Sequence, residues 1–448
     1  MNALRTDLYE IRMAASYLRR GMTGLATFSL FVRDLPRDRG FLVAAGLAEG
    51  LDLLQGFRFE PEELAYLGQG LGLPATDVEA LSRLRFTGDV RAVPEGRVVF
   101  AGEPLLEVTA PLPEAQLVET MLLNSVTFAT AVATKAARCR LAAPHAELVD
   151  FSARRTHGGD AALAAARLTA IAGFGRTSNV EGAARHGLRA AGTVAHSYIQ
   201  AFRSERDAFR AFVEDFPAAP VLLVDTYDPV TGIALAIEVL REFGVQPASA
   251  GVRLDSGDLL TLSETARKML DAAGFGSARI MASGGLDEYA LEGLTAAAAP
   301  IDVYGLGTAV GVSADAPSLD TAYKLVAFDG RPVLKLSTGK RTLPGAKQMY
   351  RGAAGEPDVL ATADEPQFPG REALLVPVML GGRRLGQPSV SSSHLRCARD
   401  LAWLPPAARR LRGPEPVSVR HSAALDSLAE DVAGRVRESQ NHAAGVAR

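Results

Sequence analysis

Residues 192–202 read Gly-Thr-Val-Ala-His-Ser-Tyr-Ile-Gln-Ala-Phe and place one histidine, His196, between a short apolar run and the start of a helical pattern. Small or hydroxylated neighbours (Gly192, Thr193, Ala195, Ser197) leave room beside the ring for a phosphorylated substrate. A histidine at the mouth of a strand-to-helix turn serves as an acid, a base, a metal ligand or a nucleophile. The plainer alternative is a hydrogen-bonded structural histidine with Ser197 as the N-cap. Tyr198, Ala201, Phe202 and Phe209 recur at roughly helical spacing, which predicts an amphipathic helix after the turn.

Polar residues gather again where apolar, strand-like runs end. Arg253 and Asp255 alternate on a predicted strand, so their side chains share a face. An inward arginine and carboxylate at a strand end are costly unless they hold something. Arg253 suits a planar carboxylate; Asp255 suits sugar hydroxyls or positive charge developing on a sugar ring. The bland counterpart is a self-satisfied Arg–Asp pair with Asp258 capping the next helix. Ser283-Gly284-Gly285 and Gly305-Leu-Gly307-Thr308 each follow a predicted strand, and Gly-rich turns that open a helix present N–H groups to a phosphate. Two such loops in successive units make a phosphate cup. Phe151-Ser-Ala-Arg154-Arg155-Thr-His157 offers further charge to an anion. These residues imply a phosphorylated sugar and an acidic co-substrate.

The elements that must carry them follow from the alternation. Strands at 146–150, 221–225, 249–254, 279–282 and 301–304 are interleaved with helices at 160–172, 177–186, 231–243, 262–273 and 286–297. That is the order of βα units on a parallel sheet, and a barrel fits this many units better than an open sheet. Before it lie a helix from residue 8 bearing Leu8 and Ile11, a strand at 26–31, an Arg-rich turn at 33–40, helices over 41–84 and short strands over 86–108. Pro111 and Pro113 mark a boundary, and 114–141 is helical again. Residues 335–351 read as strands around a loop, 374–380 with 383–386 as a hairpin, and 423–436 as a helix before a frayed end. The domain limits expected are 1–112, 113–328, 329–404 and 405–448.

The chain has 448 residues, a formal charge of −3 and two cysteines without CxxC spacing. The charge balance gives no general attraction for nucleic acid or an anionic membrane. The cysteines form neither a disulfide framework nor a zinc site, and no apolar run reaches membrane-spanning length. A cytoplasmic protein is expected.

The same stretches resemble the nicotinate phosphoribosyltransferase family. They are Thr6-Asp-Leu-Tyr9, Arg39-Gly-Phe, Arg154-Arg-Thr-His157-Gly, Thr177-Ser-Asn-Val, Gly192-Thr193-Val-Ala-His196-Ser, Val224-Asp225-Thr-Tyr-Asp228, Gly251-Val-Arg253-Leu-Asp255-Ser-Gly-Asp, Ser283-Gly284-Gly285-Leu-Asp-Glu, Tyr304-Gly-Leu-Gly307-Thr308 and Tyr323-Lys-Leu-Val. The resemblance implies an irregular TIM-like α/β barrel packed with an N-terminal α/β domain that C-terminal segments complete. It implies the joining of nicotinate to 5-phosphoribosyl 1-pyrophosphate, giving nicotinate mononucleotide and pyrophosphate, with Mg²⁺ and with ATP hydrolysis coupled through a phosphohistidine.

By the same resemblance His196 is the phosphorylated residue and Asp255 faces the ribose. Tyr9, from a partner copy in a homodimer, stacks on the pyridine ring; Thr193 and Arg253 contact nicotinate. Ser283, Gly284, Gly285, Gly307 and Thr308 cradle the 5-phosphate, while Arg39, Lys135 and Arg154 are candidates for the diphosphate. No protein ligand set for a metal is assigned. Arg176 stands where the family carries a small residue, which predicts a crowded pocket or an extra anion contact. The readings set beside this one are a nicotinamide or quinolinate phosphoribosyltransferase, a phosphosugar aldolase or isomerase, and an inactive binding barrel. No lysine lies at the strand ends between 150 and 304 for Schiff-base chemistry.

Overall fold

The computed structural model describes residues 3–337, 342–387 and 389–446 of the chain. Contacts divide it into two compact units, Met1–Ala131 with Ser318–Arg448, and Val132–Pro317.

The first unit is built on a seven-stranded antiparallel sheet whose central strands are Leu25–Val32, Pro104–Pro111 and Thr321–Phe328. Leu25–Val32 lies between the other two and is buried on both faces, so its polar side chains need partners inside. Thr27 meets the Thr109 hydroxyl at 3.0 Å, and Ser29 donates to Glu107 at 2.5 Å. Phe28 stacks on Tyr323 with centroids 4.7 Å apart, and the Tyr323 hydroxyl donates to the Ala115 carbonyl at 2.8 Å. Each such aromatic contributes on the order of 2 kcal/mol by burial. The expected hairpin is present as Val376–Leu380 paired with Arg383–Arg384 on the same sheet.

Several local expectations needed correction. The first helix, Leu8–Arg19, buries Glu10, Ile11, Ala14 and Ala15 and leaves Leu8 exposed, because its inward stripe starts one turn later. Residues 41–84 are not all helical: Leu42–Val43 is a strand paired with Val98–Val99. The helix expected over 114–141 is two, Leu112–Leu117 and Glu119–Ala142. The helix Val390–Trp403 was not expected at all, and the last helix extends over Ala423–Val446. The strand-and-loop reading of 335–351 falls outside the described residues at 338–341, with Lys347–Arg351 a strand beyond them.

The second unit holds a curled, all-parallel, seven-stranded half-barrel sheet. Its spatial order is Arg189–Ala190, Arg176–Thr177, Glu147–Asp150, Val303–Leu306, Arg279–Ala282, Gly251–Leu254, Val221–Leu223. Five of these strands are those read from the sequence. The two-residue strands at 176–177 and 189–190 were too short to show a period. They form one end of the sheet, and no ladder among the described residues joins Arg189–Ala190 to Val221–Leu223 at the other. On one side of the sheet Val149, Met281 and Val303 make a small apolar cluster with Phe151 and Ala191. No described helix is long and apolar enough to cross a membrane.

Candidate active site

The strand Gly251–Leu254 is buried along its whole length and is flanked in register, so its side chains are aimed rigidly. Arg253 and Asp255 do share a face. The guanidinium is a hub: Nε donates to Ser283 Oγ (2.8 Å), and Nη1 to Thr193 Oγ1 (2.9 Å) and the Val194 carbonyl (3.3 Å). Nη2 donates to Asp255 Oδ1 at 2.6 Å. Among the described residues these bonds engage four of its five N–H groups, leaving one Nη2 hydrogen. Its charge also lies over the Phe151 ring, 5.4 Å from the centroid.

Asp255 accepts from Ser283 Oγ (2.5 Å) as well. Burial raises its pKa, but the Ser283 hydroxyl, Arg253 and His196 outweigh burial and hold the carboxyl below the usual carboxylate range. It is therefore an anion at neutral pH.

His196 is the first residue of the short helix His196–Ala201, and Ala195, not Ser197, occupies the N-cap. The single amphipathic helix expected here is broken at Phe202; a second, Glu205–Asp215, is capped by Ser204. His196 Nδ1 pairs with Thr226 Oγ1 at 3.1 Å, while Nε2 lies 3.6 Å from Asp255 Oδ2 with the side chain 39% exposed. One ring nitrogen is anchored and the other faces Asp255. A cavity of about 690 Å³ opens beside the same loop, lined by Gly192, Thr193, Val194, Tyr198, Phe212 and Phe216. Its lining shares Thr193 and Val194 with the Arg253 hub but does not include Arg253, Asp255 or His196 themselves.

The Gly loops follow their strands. Gly284 has φ +91°, and a Cβ there would come within 1.9 Å of the Asp255 carbonyl oxygen, so only glycine fits against the Asp255 backbone. The helix after this loop begins at Glu288, and Asp287 accepts from its first N–H groups, those of Tyr289 and Ala290. The free helix N-terminus expected after Ser283 is thus already capped, which leaves only the glycine loop's own N–H groups for a phosphate. The Ser283 hydroxyl is likewise engaged by Arg253 and Asp255. Gly307 precedes the helix Thr308–Gly311, which has no side-chain cap.

The weaker candidates separate. Lys135 is 2% exposed and ion-paired with Glu288 (2.5 Å) and Asp315 (2.9 Å); Arg138 holds the other Glu288 oxygen at 2.9 Å. Arg154 is exposed in the loop after Glu147–Asp150. Arg176 turns to Glu147 at the other end of that strand (2.7 Å), where Arg279 also binds (2.6 Å); it neither crowds the cluster nor adds to it. In the first unit, Arg39 is 1% exposed and donates to the Ala131 carbonyl at 3.0 Å, unlike a residue of a solvated loop. Tyr9 is 46% exposed; burial, then Glu119, raise its pKa.

Asp225 reads from the sequence as one of the polar residues that follow the apolar run 221–224, with no role of its own. Its Oδ2 accepts the Asp255 N–H and the Ser256 hydroxyl, each at 2.7 Å, fixing the Asp255 loop. Asp150 plays a similar part, accepting from Ser152 Oγ (2.6 Å) and Thr177 Oγ1 (2.7 Å).

A profile of the nicotinate phosphoribosyltransferase (NAPRTase) N-terminal domain matches residues 4–127, and one of the NAPRTase family matches 146–349. A Mycobacterium tuberculosis protein named nicotinate phosphoribosyltransferase is 45% identical over 417 residues, 92% of this chain and 89% of that one. A Bacillus subtilis protein of the same name is 44% identical over 376 residues, 81% and 76% of the two chains. The crystal structure of human nicotinic acid phosphoribosyltransferase superposes with a TM-score of 0.85 at 31% identity, covering 95% of this chain and 99% of that one.

Proposed function

The chain belongs to the nicotinate phosphoribosyltransferase family, and from that premise we propose that it joins nicotinate to 5-phosphoribosyl 1-pyrophosphate, releasing pyrophosphate and coupling the step to ATP through His196. The observation that carries the reading is the Arg253 hub. One buried guanidinium ties the loop bearing Thr193 to Asp255 and Ser283, with His196 beside Asp255.

Loss of pyrophosphate builds positive charge on the ribosyl ring, which the ionised Asp255 stabilises without reorganising. The pyridine nitrogen attacks with its own lone pair, so no general base is needed. Thr193 and the remaining Arg253 N–H receive the nicotinate carboxylate. The loops at Ser283, Gly284 and Gly285 and at Gly307 and Thr308 receive the 5-phosphate through backbone N–H groups. Exposed Arg154 is the strongest diphosphate contact of the three arginine and lysine candidates; Lys135 and Arg39 act from buried positions by shaping their surroundings. Mg²⁺ enters as the substrates' counter-ion, and no described group of three or more His, Cys, Asp or Glu side chains is arranged to hold a metal.

His196 suits a phosphoryl acceptor better than a proton shuttle: Thr226 anchors Nδ1, leaving Nε2 for the γ-phosphoryl group. Its place in the first turn of a helix favours the negative charge that results. Two copies pair so that Tyr9 of one reaches the pyridine ring of the other, and the enzyme works in the cytoplasm. The test is product analysis with phosphoribosyl pyrophosphate and nicotinate, nicotinamide or quinolinate, each with and without ATP. Nicotinate mononucleotide in excess, stimulated by ATP, is expected; preferential nicotinamide mononucleotide overturns the assignment.

A further inference from the structure

A glycine loop that receives a phosphate has no side chains of its own to hold it in place. Gly284 and Gly285 both take left-handed φ, +91° and +66°, so the stretch between the strand Arg279–Ala282 and the helix Glu288–Ala296 must be fixed at its ends. At the strand end the Ser283 N–H donates to the Leu254 carbonyl at 2.9 Å. At the helix end stands Glu288, wholly buried, and its carboxylate is clamped from the long helix Glu119–Ala142. Lys135 Nζ lies 2.5 Å from Glu288 Oε2, and Arg138 Nε donates to Oε1 at 2.9 Å. Arg138 also donates to the hydroxyl of the next residue, Tyr289, at 3.1 Å.

The same ammonium reaches the segment that leaves the other loop. Lys135 Nζ lies 2.9 Å from Asp315 Oδ1. Asp315 follows a turn tied back to the helix Thr308–Gly311: the Ala314 N–H donates to the Ala309 carbonyl at 3.0 Å, and the Gly311 N–H to the Gly307 carbonyl at 3.1 Å. One buried cation thus spans the exits of both glycine loops. Burial pushes its pKa down, but Glu288 and Asp315 outweigh burial and hold it above the usual lysine value, so it stays charged. A buried ion pair seldom adds net stability over apolar packing of the same volume, so its use here is sought in the geometry it fixes.

We propose that Lys135 is a positioning residue for the 5-phosphate site: by bridging Glu288 and Asp315 it sets the spacing of the two glycine loops without touching the ligand. The inference rests on the phosphoribosyl transfer proposed above, and it takes Lys135 out of the diphosphate contacts.

The experiment measures binding of ribose 5-phosphate, and of pyrophosphate with Mg²⁺, by calorimetry to wild type, Lys135→Met and Asp315→Asn, beside steady-state kinetics and thermal unfolding. Lys135→Met keeps much of the side chain's length without its charge. Asp315→Asn weakens the tie to the second loop at a side chain 20% exposed, and it decides the matter if Lys135→Met does not fold. Affinity for ribose 5-phosphate should fall about tenfold or more in Lys135→Met and about threefold in Asp315→Asn, with pyrophosphate affinity within about twofold of wild type. KM for phosphoribosyl pyrophosphate should rise in the same proportion, while KM for nicotinate stays within about twofold. Unchanged ribose 5-phosphate affinity in Asp315→Asn, or in a folded Lys135→Met that has lost only stability, overturns the proposal and leaves the cluster a support of the fold. A loss of pyrophosphate affinity instead would make Lys135 a diphosphate contact and overturn it equally. Failure of wild type itself to bind ribose 5-phosphate is a distinct result: it would overturn the phosphoribosyl reading, and this inference with it.

Discussion

Two arginines, one in each unit, sit in similar company but differ in how far their partners are open to solvent. In the first unit Arg351 binds Asp358 (2.7 Å) and Asp400 (2.9 Å), donates to the Val98 carbonyl (2.8 Å), and lies 4.4 Å from the Trp403 ring centroid. Arg97 completes the group through Asp400 and Glu372, both at 2.7 Å. The side chains of Arg97, Arg351, Asp358 and Asp400 are all at most 4% exposed. In the second unit Arg253 likewise binds a carboxylate, backbone and hydroxyl groups and lies over an aromatic ring, yet Asp255 and His196 beside it are 25% and 39% exposed. Bond inventory does not separate a structural ion network from a working one. Access does: Arg97, Arg351, Asp358 and Asp400 are sealed from solvent, whereas the second network leaves one carboxylate and one imidazole partly open.

The largest effect that tests this contrast is on stability. Arg351→Ala should cost about 3–5 kcal/mol, because it strips buried Asp358 of its arginine and takes one of the arginines that hold Asp400. Denaturant unfolding checks it, with the midpoint falling and the slope unchanged. A loss below about 1 kcal/mol would show that the buried network is a by-product of packing and would dissolve the distinction.

Arg253→Ala should reverse the pattern. We expect kcat/KM for nicotinate to fall by about 2–5 kcal/mol of transition-state stabilisation, with a smaller change in unfolding midpoint than Arg351→Ala produces. Steady-state kinetics beside thermal unfolding separates the two. A near-normal rate with a large loss of stability would make Arg253 a second Arg351.

The two networks also differ in how far they could be read from sequence. Arg253, Asp255, Ser283, Thr193 and His196 lie within a few residues of strand ends or in Gly-rich turns, so period and turn chemistry pointed to them, and the family resemblance added roles. Arg97, Arg351, Asp358 and Asp400 are spread over three hundred residues with no local pattern, and only the tertiary fold joins them. The helix Val390–Trp403, which supplies Asp400 and Trp403, went unread for the same reason: its inward residues include Ser393 and Asp400, polar side chains that mask the apolar stripe. Asp225 is legible as a polar residue at a strand end, but its grip on the Asp255 N–H depends on strand register, which sequence does not encode locally. The Gly284 contact with Asp255 is of the same kind.

Within the open site the next effect is confined to coupling. His196→Asn should abolish acid-labile, alkali-stable labelling from γ-labelled ATP and end the stimulation by ATP. Transfer without ATP should persist at a reduced level, since Arg253, Asp255 and the glycine loops remain. Retained ATP stimulation in that variant would return His196 to a structural part beside Thr226 and shrink the open region to Arg253 and Asp255.

The smallest effect belongs to Arg176, which shares the second unit but not its site. Its Nε binds Glu147 at the N-terminal end of the strand Glu147–Asp150, whereas Asp150 at the other end holds Ser152 and Thr177. The pair is half open to water, with side chains 40% and 23% exposed, and Arg279 also binds Glu147, so losing one partner leaves the carboxylate compensated. Exposed pairs of this kind contribute at most about 1 kcal/mol. Arg176→Ala should therefore change stability by less than about 1 kcal/mol and leave kcat and both substrate KM values within about twofold. A KM for phosphoribosyl pyrophosphate raised tenfold or more would place Arg176 among the anion contacts after all. It would also show that an arginine already engaged at the strand's far end can swing to the ligand, and then access in the free protein would no longer be enough to tell working charges from structural ones.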